Sequence, residues 1–261
     1  MVQSNRDLHV VLLPSELIEA DLASRAVAVF DVLRATTSIT QALTAGAAEV
    51  RLFESVEEAA AAAEKVRLIA GNIVLAGERH CLPAPGFDLG NSPSGFAPPV
   101  VSGKTILFAT TNGTKALLAA APAALVIAAC LNNAQAAAEM LARSQAPVTL
   151  LCAGTDGRPA PEDIIGCGAV AWALTRLGSY RPTPQATSAI DLFTEADRSP
   201  AGLAAALAGT LGGMNVINAG LAGDVDFAAK LNTTRTIGVL DPTTRSLHKS
   251  LEPESHTSKG C

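Results

Sequence analysis

An acidic and a basic side chain follow an apolar run near the start of the sequence. The segment FDVLRATTS places Asp31 at the end of that run and Arg34 three residues later. A carboxylate at the end of a buried strand is costly unless it is paired or binds a metal ion. Arg34 is therefore either the structural partner of Asp31 or a guanidinium that holds a phosphate. In the second case, Asp31 is a magnesium ligand or a nucleophile.

A polar joint connects an apolar strand to an alanine-rich helix in the segment LFATTNGTKALLAA, residues 107–120. The start of a helix presents unpaired N–H groups and a partial positive charge. Hydroxyl and amide side chains there cap the helix, and a glycine lets a ligand approach the backbone. The joint is therefore either a helix cap or an oxyanion site, and the availability of Arg34 and Lys115 favours the oxyanion site. Its residues are Thr110, Thr111, Asn112, Gly113 and Thr114.

Further carboxylates follow other strand-like runs, and oxygen ligands of this kind suit Mg²⁺. Glu162 and Asp163 come after a proline at a predicted helix start, where negative charge also stabilises the first turn. Asp88 lies in GFDLGNSP, where it is either a metal ligand or a turn former. Glu78 and His80 follow another run and are candidates for acid–base chemistry, although a histidine in a loop is often only solvated.

Strand-like and helix-like segments alternate along the chain. Most of the strand-like runs are continuously apolar, as in sheets covered on both faces. The order predicts an α/β fold with three α/β/α layers and a largely parallel or mixed sheet, arranged either as one unit or as two apposed lobes. The predicted strands are 8–13, 26–31, 48–53, 73–78, 105–110, 124–129, 148–153 and 235–240, and the predicted helices are 36–45, 55–68, 114–121, 132–143, 161–177 and 201–229, the last broken at Gly212–Gly213.

One α/β domain is predicted over residues 1–245. A loop rich in proline and glycine at 79–104 suggests a lobe boundary near 80–104, and loops of that length are often functional. The polar segment 246–261 lacks a pattern and is expected to be a disordered tail. Because ligands of α/β sheets bind at the carboxyl ends of strands, the polar residues after each predicted strand are expected to share one site.

The composition of the chain and the motifs that it lacks exclude several classes of protein. The net charge is −5 without a basic stripe, so nucleic acid is not an expected partner. No apolar run is long enough to span a membrane and the N-terminus lacks a signal-peptide core, so a cytoplasmic location is expected. The five cysteines lack CxxC spacing and are expected to be free thiols. Neither a complete phosphate-binding loop nor GxGxxG is present. The alanine-rich surface suggests a homodimer.

Taken together, these segments resemble the 2-phosphosulfolactate phosphatase family. The resemblance rests on FDVLRATTSI followed by ALTAGAAEV, on LAGER followed by GFDLGNSP, on ATTNGTKAL, and on LLCAGTDGRPAPEDIIGCGAV. It covers about residues 8–240, including GDVDFAAKLNTTRTIGVL at its end. The stretch GTDGRPAPED departs from the usual pattern of the family, which leaves the details of substrate recognition open.

The resemblance implies a Mg²⁺-dependent phosphomonoesterase that converts a small anionic phosphoester, 2-phospho-3-sulfolactate, to sulfolactate and phosphate, a step of coenzyme M biosynthesis in methanogens. A phosphatase for a different small phosphoester and a catalytically silent anion-binding protein are the alternatives. The roles of the matching positions are assigned from their chemistry. They are the catalytic candidates Asp31, Arg34, Glu78 and Glu162, the substrate-binding candidates Thr36, Thr37, Asn91, Ser92, Thr111, Asn112, Gly113 and Thr114, and the metal candidates Asp31, Asp88, Glu162 and Asp163.

Hydrolysis of a phosphate ester needs charge neutralisation and in-line positioning. We expect Asp31, with Glu162 or Asp163, to hold Mg²⁺, and Arg34 with the backbone of 111–114 to hold the phosphoryl oxygens. The attacking group is either a water molecule or Asp31 itself. Cations available for the sulfonate and carboxylate groups are Arg79, Lys115 and Arg158. The proton for the leaving oxygen is expected from either Glu78 or His80.

Overall fold

The computed structural model describes residues 6–67, 72–178 and 180–250. Within these residues, strands and helices alternate as the sequence predicts. The strands are β1 Arg6–Val11, β2 Ala26–Phe30, β3 Glu49–Phe53, β4 Ile73–Arg79, β5 Leu82–Pro83, β6 Thr105–Ala109, β7 Leu125–Ala129, β8 Val148–Cys152, β9 Tyr180–Pro182, β10 Gly238–Asp241 and β11 Ser246–Lys249. The helices are α1 Glu19–Leu22, α2 Ala35–Thr44, α3 Val56–Arg67, α4 Pro98–Val101, α5 Gly113–Ala119, α6 Ala134–Arg143, α7 Pro161–Leu177, α8 Pro184–Arg198, α9 Gly202–Ala208, α10 Leu211–Asn218 and α11 Ala222–Ala228.

These strands join one sheet in the order β5-β4-β6-β3-β11-β10-β7-β2-β8-β1-β9. One parallel block contains β4, β6 and β3, and a second contains β7, β2, β8, β1 and β9. Between the blocks, β3 pairs with β11, β11 with β10, and β10 with β7, each time antiparallel. Because an odd number of reversals separates them, the two blocks run in opposite directions. The expected mixed sheet is confirmed.

Helices α2 and α5 pack on one face of the sheet and contact both blocks. Their apolar residues form one cluster with residues of β2 and β7 from one block and of β3, β4 and β6 from the other. The opposite face of the sheet is covered by α3 over the block of β4, β6 and β3, and by α6, α7 and α8 over the other block. This arrangement confirms the three-layer α/β/α prediction. The segment 80–104 does not separate two lobes, because β4 before it and β6 after it pair with each other.

Most predicted elements are found within a few residues of their expected bounds, but helix α8 was not predicted. Two signals for it were present in the sequence. Thr183 precedes a proline, and its hydroxyl accepts the N–H of Ala186 at 3.3 Å as a helix cap. The side that packs on α7 also has helical spacing. Its buried residues are Ala186, Ala189, Phe193 and Ala196.

The expected helix break at Gly212–Gly213 is wrong. Both glycines lie inside α10, and the interruptions fall instead between Ala208 and Leu211 and between Asn218 and Ala222. Close packing explains these glycines better than helix breaking does. A Cβ on Gly213 would lie 2.0 Å from the carbonyl oxygen of Leu207.

Residues 246–249 form strand β11 and not the start of a disordered tail. Ser246 and Leu247 are fully buried, and the strand pairs with both β10 and β3. A strand of four residues is too short to show a clear alternation in the sequence. Residues 251–261 lie outside the described residues, so the expectation of disorder there stays a prediction.

Four cysteines are free thiols as expected, namely Cys81, Cys130, Cys152 and Cys167. Cys261 lies outside the described residues. Across the described part of the chain, every helix is too short or too polar to cross a bilayer. The homodimer and the cytoplasmic location stay predictions.

Candidate active site

A cleft of about 440 Å³ lies where strand ends from both blocks of the sheet meet. Residues that follow β2, β3, β4, β6 and β8 line it, and residues of α10 contribute a further side. The meeting of the two blocks is direct, because Gly113 after β6 packs against Asp31 after β2. Polar residues from distant parts of the chain therefore share one cleft. Among them are Asp31, Arg34, Glu78, Asn91, Asn112 and Lys115.

Asp31 follows β2 directly and is only 9% exposed. Its Oδ1 accepts the backbone N–H of Ala35 at 3.1 Å, so it is fixed at the start of α2. Its Oδ2 faces Gly113, where an added Cβ would come within 2.6 Å. Burial raises the pKa of Asp31 to about 6; the Ala35 hydrogen bond opposes this rise, and repulsion from Glu78 and Glu162 adds to it. A cation bound beside these acids would therefore be stabilised.

Arg34 lines the same cleft and is 3% exposed. Its Nη1 donates to Oδ2 of Asp224 at 2.6 Å, and its Nη2 donates to the carbonyl oxygen of Cys81, also at 2.6 Å. Its ion-pair partner is therefore Asp224. The pairing of Arg34 with Asp31, which was the structural alternative in the sequence, is not found. Because a guanidinium has five N–H donors, these contacts leave others for a ligand.

The polar joint between β6 and α5 is largely satisfied by the protein itself. Oε1 of Glu78 accepts the backbone N–H and the hydroxyl of Thr111, at 2.9 and 2.8 Å, and Oε2 accepts the N–H of Cys81 at 3.0 Å. The amides of Thr110 and Thr114 each donate to the hydroxyl oxygen of the other residue. These three amides of the joint therefore already have partners, although the N-cap residue of α5, Asn112, makes no side-chain cap hydrogen bond. They are not free to bind an oxyanion, because Glu78 accepts the amide of Thr111 and hydroxyl oxygens accept those of Thr110 and Thr114.

Glu162 and Asp163 begin helix α7 but meet different surroundings. Oδ1 of Asp163 accepts the N–H of Val32 at 2.8 Å and Oδ2 accepts that of Gly154 at 3.1 Å, so this carboxylate ties the ends of β2 and β8 together. Burial, followed by repulsion from Asp31, raises the pKa of Asp163 well above its ordinary value. Glu162 is 2% exposed, burial raises its pKa, and its Oε2 has no hydrogen-bond partner among the described residues. Glu162 thus keeps an unused oxygen. Neither Glu162 nor Asp163 lines the cleft itself, but the carboxyl group of Glu162 lies against Gly212, which does.

Comparison with known proteins identifies the family to which the chain belongs. The family model described as 2-phosphosulpholactate phosphatase matches residues 11–242. The chain belongs to the 2-phosphosulfolactate phosphatase family. A probable 2-phosphosulfolactate phosphatase of Deinococcus radiodurans is 39% identical over 216 residues, which is 82% of this chain and 87% of the relative. Proteins of the same name from Carboxydothermus hydrogenoformans and Thermus thermophilus are 37% and 38% identical, over 86% and 82% of this chain and 89% and 87% of their own.

Four substrate-binding candidates of this 2-phosphosulfolactate phosphatase family member have distinct surroundings. The hydroxyls of Thr36 and Thr37 donate to backbone carbonyl oxygens at the end of β2, at 3.0 and 2.8 Å. The hydroxyl of Ser92 donates to Oδ1 of Asp224 at 2.5 Å. Asn91 is buried and lines the cleft, and its Oδ1 has no partner within the described ranges. Of the four, Asn91 is the one that keeps an unused acceptor at the cleft.

The remaining metal candidate, Asp88, is not among the residues that line the cleft. Its Oδ2 accepts from Nη2 of Arg67 at 2.6 Å and from the N–H of Leu75 at 2.8 Å, so it fastens α3 to β4. In the described part of the chain, no group of three or more His, Cys, Asp and Glu side chains is placed to hold a metal ion. The metal set expected from the sequence therefore does not assemble as four carboxylates.

A magnesium ion with fewer protein ligands fits what this family member offers. Mg²⁺ keeps several waters and is often held by one or two carboxylates together with a substrate phosphate. Oε2 of Glu162 and Oδ1 of Asn91 are buried oxygens without a donor among the described residues. Repulsion between Glu162 and Asp31 contributes to the raised pKa of Asp31. Unpaired oxygens and mutually repelling carboxylates are an environment that a cation stabilises.

Two residues that support the site were not singled out as site residues in the sequence. Asp224 is the ion-pair partner of Arg34, yet nothing in GDVDF distinguishes it from the exposed Asp226. Gly212 lines the cleft and contacts the carboxyl group of Glu162. Its signal was the pair of glycines within a predicted helix, which indicates close packing as well as a break.

Gly212→Ala is expected to lower the turnover of the family reaction at least tenfold. The new Cβ would lie 1.8 Å from Oε1 of Glu162, so the carboxyl group or helix α10 must move. Overpacking of this kind typically costs about 1–3 kcal/mol of stability. Steady-state kinetics and thermal unfolding measure the two effects. Gly223→Ala is the matched control, because a Cβ there meets nothing within 4 Å. Wild-type turnover in Gly212→Ala would show that the position of Glu162 is not important.

Proposed function

We propose that the protein is a Mg²⁺-dependent phosphomonoesterase that hydrolyses 2-phospho-3-sulfolactate, or a closely related phosphorylated hydroxy acid, to the hydroxy acid and phosphate. Family membership supports the reaction class. The observation that carries the proposal is that Asp31 and Arg34 share one cleft but are held by different partners. Each therefore remains available, Asp31 for a metal ion or for attack, and Arg34 for phosphoryl oxygens.

The charge of the cleft suits a substrate with more than one anionic group. Arg34 is buried, whereas Lys115 is exposed on α5 and forms no ion pair with a described residue. Arg79 also lines the cleft, but it is paired with Glu57 at 2.6 Å. Arg158 is not among the lining residues. We therefore assign the phosphoryl group to Arg34 and the sulfonate or carboxylate group to Lys115.

Asp31 and Glu162 are the residues that we expect to hold magnesium. Bound magnesium would neutralise phosphoryl charge and lower the pKa of a bound water. Arg34 would hold the non-bridging oxygens of the phosphoryl group with its free N–H donors. Asp163 would keep the ends of β2 and β8 in place through its two backbone contacts. These roles make Asp31 and Glu162 metal ligands and Asp163 a backbone anchor.

Hydrolysis breaks the bond between phosphorus and the ester oxygen, and that oxygen must take up a proton. His80 is exposed and lines the cleft, whereas both oxygens of Glu78 already accept hydrogen bonds. His80 is therefore the better-placed proton donor, and Glu78 holds Thr111. The attacking group is either water or Asp31, which would form an aspartyl phosphate that water then hydrolyses. Radiolabelled phosphate trapped on Asp31 would identify the second route.

The experiment that tests the function measures phosphate release from 2-phospho-3-sulfolactate and from a panel of phosphorylated hydroxy acids. We expect release that depends on Mg²⁺ and disappears when a chelator is added. Addition of excess Mg²⁺ should then restore the rate, which separates metal removal from damage to the protein.

The panel also decides between the alternatives. Release only from another phosphoester would keep the reaction class and change the substrate. Binding of phosphate without release from any ester would indicate the catalytically silent anion-binding protein. Release that is equally fast with the chelator would remove magnesium from the proposal.

Lys115→Ala is expected to raise KM for the sulfonate-bearing ester about tenfold, since charge-assisted contacts contribute roughly 1.5 kcal/mol, with little change in kcat. The effect should be smaller for a phosphoester that lacks the second anionic group, and it should shrink as salt is added. Lys65→Ala, which removes an exposed lysine on α3 outside the cleft, is the matched control. Equal changes in KM for both esters would mean that Lys115 does not bind the second anion.

A further inference from the structure

Asp224 is a buried acid to which the reaction outlined above gives no task. It lies in the first turn of α11, is 5% exposed, and stands 190 positions from Arg34 in the chain. Its Oδ2 accepts Nη1 of Arg34 at 2.6 Å, and its Oδ1 accepts the hydroxyl of Ser92 at 2.5 Å. Because both carboxylate oxygens are engaged, Asp224 acts on its neighbours and does not face a ligand.

The guanidinium of Arg34 is held at both terminal nitrogens. Asp224 binds Nη1 and the carbonyl oxygen of Cys81 binds Nη2, each at 2.6 Å. A guanidinium is planar and rigid, so contacts at two different nitrogens fix its plane and its rotation within that plane. The long side chain of an arginine would otherwise have to be ordered when a ligand binds, at a cost in entropy.

We infer that Asp224 is a positioning residue, which holds Arg34 so that its free N–H groups meet the phosphoryl oxygens of the substrate. The inference rests on the proposed function, which places the phosphoryl group at Arg34. Ser92 orients the carboxylate of Asp224 by donating to its second oxygen. Ser92 therefore supports Arg34 through Asp224, and the direct contact with the substrate that the sequence suggested for it stays a prediction.

A purely structural ion pair would behave differently. Loss of one partner of a buried pair destabilises the fold whatever its purpose, so stability alone does not separate the two roles. The two roles predict opposite changes in phosphate affinity when Asp224 is made neutral. Removing a negative charge beside an anion site should tighten phosphate binding through Coulomb attraction alone. If Asp224 positions Arg34, its neutral replacement should weaken phosphate binding instead.

The test measures the dissociation constant of inorganic phosphate by titration calorimetry, with Mg²⁺ present, on the full chain. Asp224→Asn and Arg34→Gln are each expected to weaken binding about tenfold, as loss of a charge-assisted contact would. The double variant should bind like Arg34→Gln alone, because Asp224 acts through Arg34. Asp226→Asn removes the same charge from an exposed position of the same helix and should stay within about twofold of wild type.

Thermal unfolding establishes that each variant is folded at the temperature of the titration. If Asp224→Asn does not fold, Ser92→Ala takes its place, with an expected loss of affinity of about threefold from one neutral hydrogen bond. Unchanged or tighter phosphate binding by the folded variant overturns the inference. So does a further loss in the double variant, or a wild-type protein that binds no phosphate.

Measuring binding without turnover keeps this inference separate from the proposed function. A wild-type protein that binds phosphate through the Arg34–Asp224 pair, yet hydrolyses no phosphoester, would keep the inference and lose the function. A wild-type protein that hydrolyses the ester, with phosphate affinity unaffected by Asp224→Asn, would lose the inference alone.

Discussion

Asp31→Asn is expected to lower kcat for phosphate release about 10³-fold, as the loss of a central electrostatic group does in other enzymes. The amide has nearly the same shape and can keep the hydrogen bond from Ala35. It cannot supply the negative charge needed to hold magnesium or to attack phosphorus. Steady-state kinetics at saturating Mg²⁺ measure the effect. Asp197→Asn, which makes the same change at an exposed position of α8, is the control.

The stability of Asp31→Asn is expected to stay the same or to rise, although its kcat falls. The pKa of Asp31 is raised from 3.8 to about 6 in the folded protein. Ionisation of Asp31 therefore costs stability, a cost that is absent below the unfolded pKa and complete above the folded one. At pH 7.5 and without metal, Asp31→Asn should melt no lower than wild type. A variant with near wild-type turnover would remove Asp31 from the reaction, whereas one that unfolds would show that its charge is structural.

Much of the fold could be predicted because the strands are locally recognisable. Continuous apolar runs such as Ala26–Phe30 and Thr105–Ala109 need no knowledge of their neighbours to be recognised as buried strands. The antiparallel pair β10–β11 could not be predicted as a pair, because its pairing with β3 and β7 depends on residues far away in the chain. That pair reverses one block of the sheet, which no local pattern reveals.

The shared cleft was predicted from the rule that ligands bind at the carboxyl ends of parallel strands, and this rule applies within each block only. Carboxyl ends of parallel strands meet at one edge, but here the two blocks run in opposite directions. The carboxyl ends of β2 and β6 still meet, because α2 and α5, which follow these strands, begin side by side. A Cβ on Gly113 would lie 2.5 Å from the Cβ of Ala35 and 2.6 Å from Oδ2 of Asp31. Gly113 is therefore needed for packing, and its role in the site is to let Asp31 approach.

The acids of the site show what residue types alone leave undecided. Glu162 and Asp163 are neighbours at a helix start, and the sequence offers both as metal ligands. In the structure, Asp163 is occupied by the amides of Val32 and Gly154, while Glu162 keeps an oxygen without a partner among the described residues. The difference depends on which distant backbone groups each carboxylate meets. Such contacts require the tertiary structure.

Arg34→Lys is expected to lower kcat/KM about 10²-fold, although the positive charge is kept. A lysine ammonium is a compact charge and cannot reach Asp224 and the carbonyl oxygen of Cys81 while also facing the phosphoryl group. Arg34 is 3% exposed, so water cannot replace the missing contacts. Kinetics with 2-phospho-3-sulfolactate measure the loss, and thermal unfolding measures any loss of stability in the same protein.

Arg51→Lys is the matched control, because Arg51 is also paired with a carboxylate, Glu49 at 2.7 Å, but lies outside the cleft. It should change stability slightly and leave kcat/KM near the wild-type value. The comparison separates the loss of an arginine–carboxylate pair from the loss of a contact with the phosphoryl group. A large loss of kcat/KM in Arg34→Lys alone, at a temperature at which both variants are folded, would place Arg34 at the phosphoryl group. If Arg34→Lys changes only the melting temperature, Arg34 stabilises the fold, and another cation of the cleft must bind the phosphoryl oxygens.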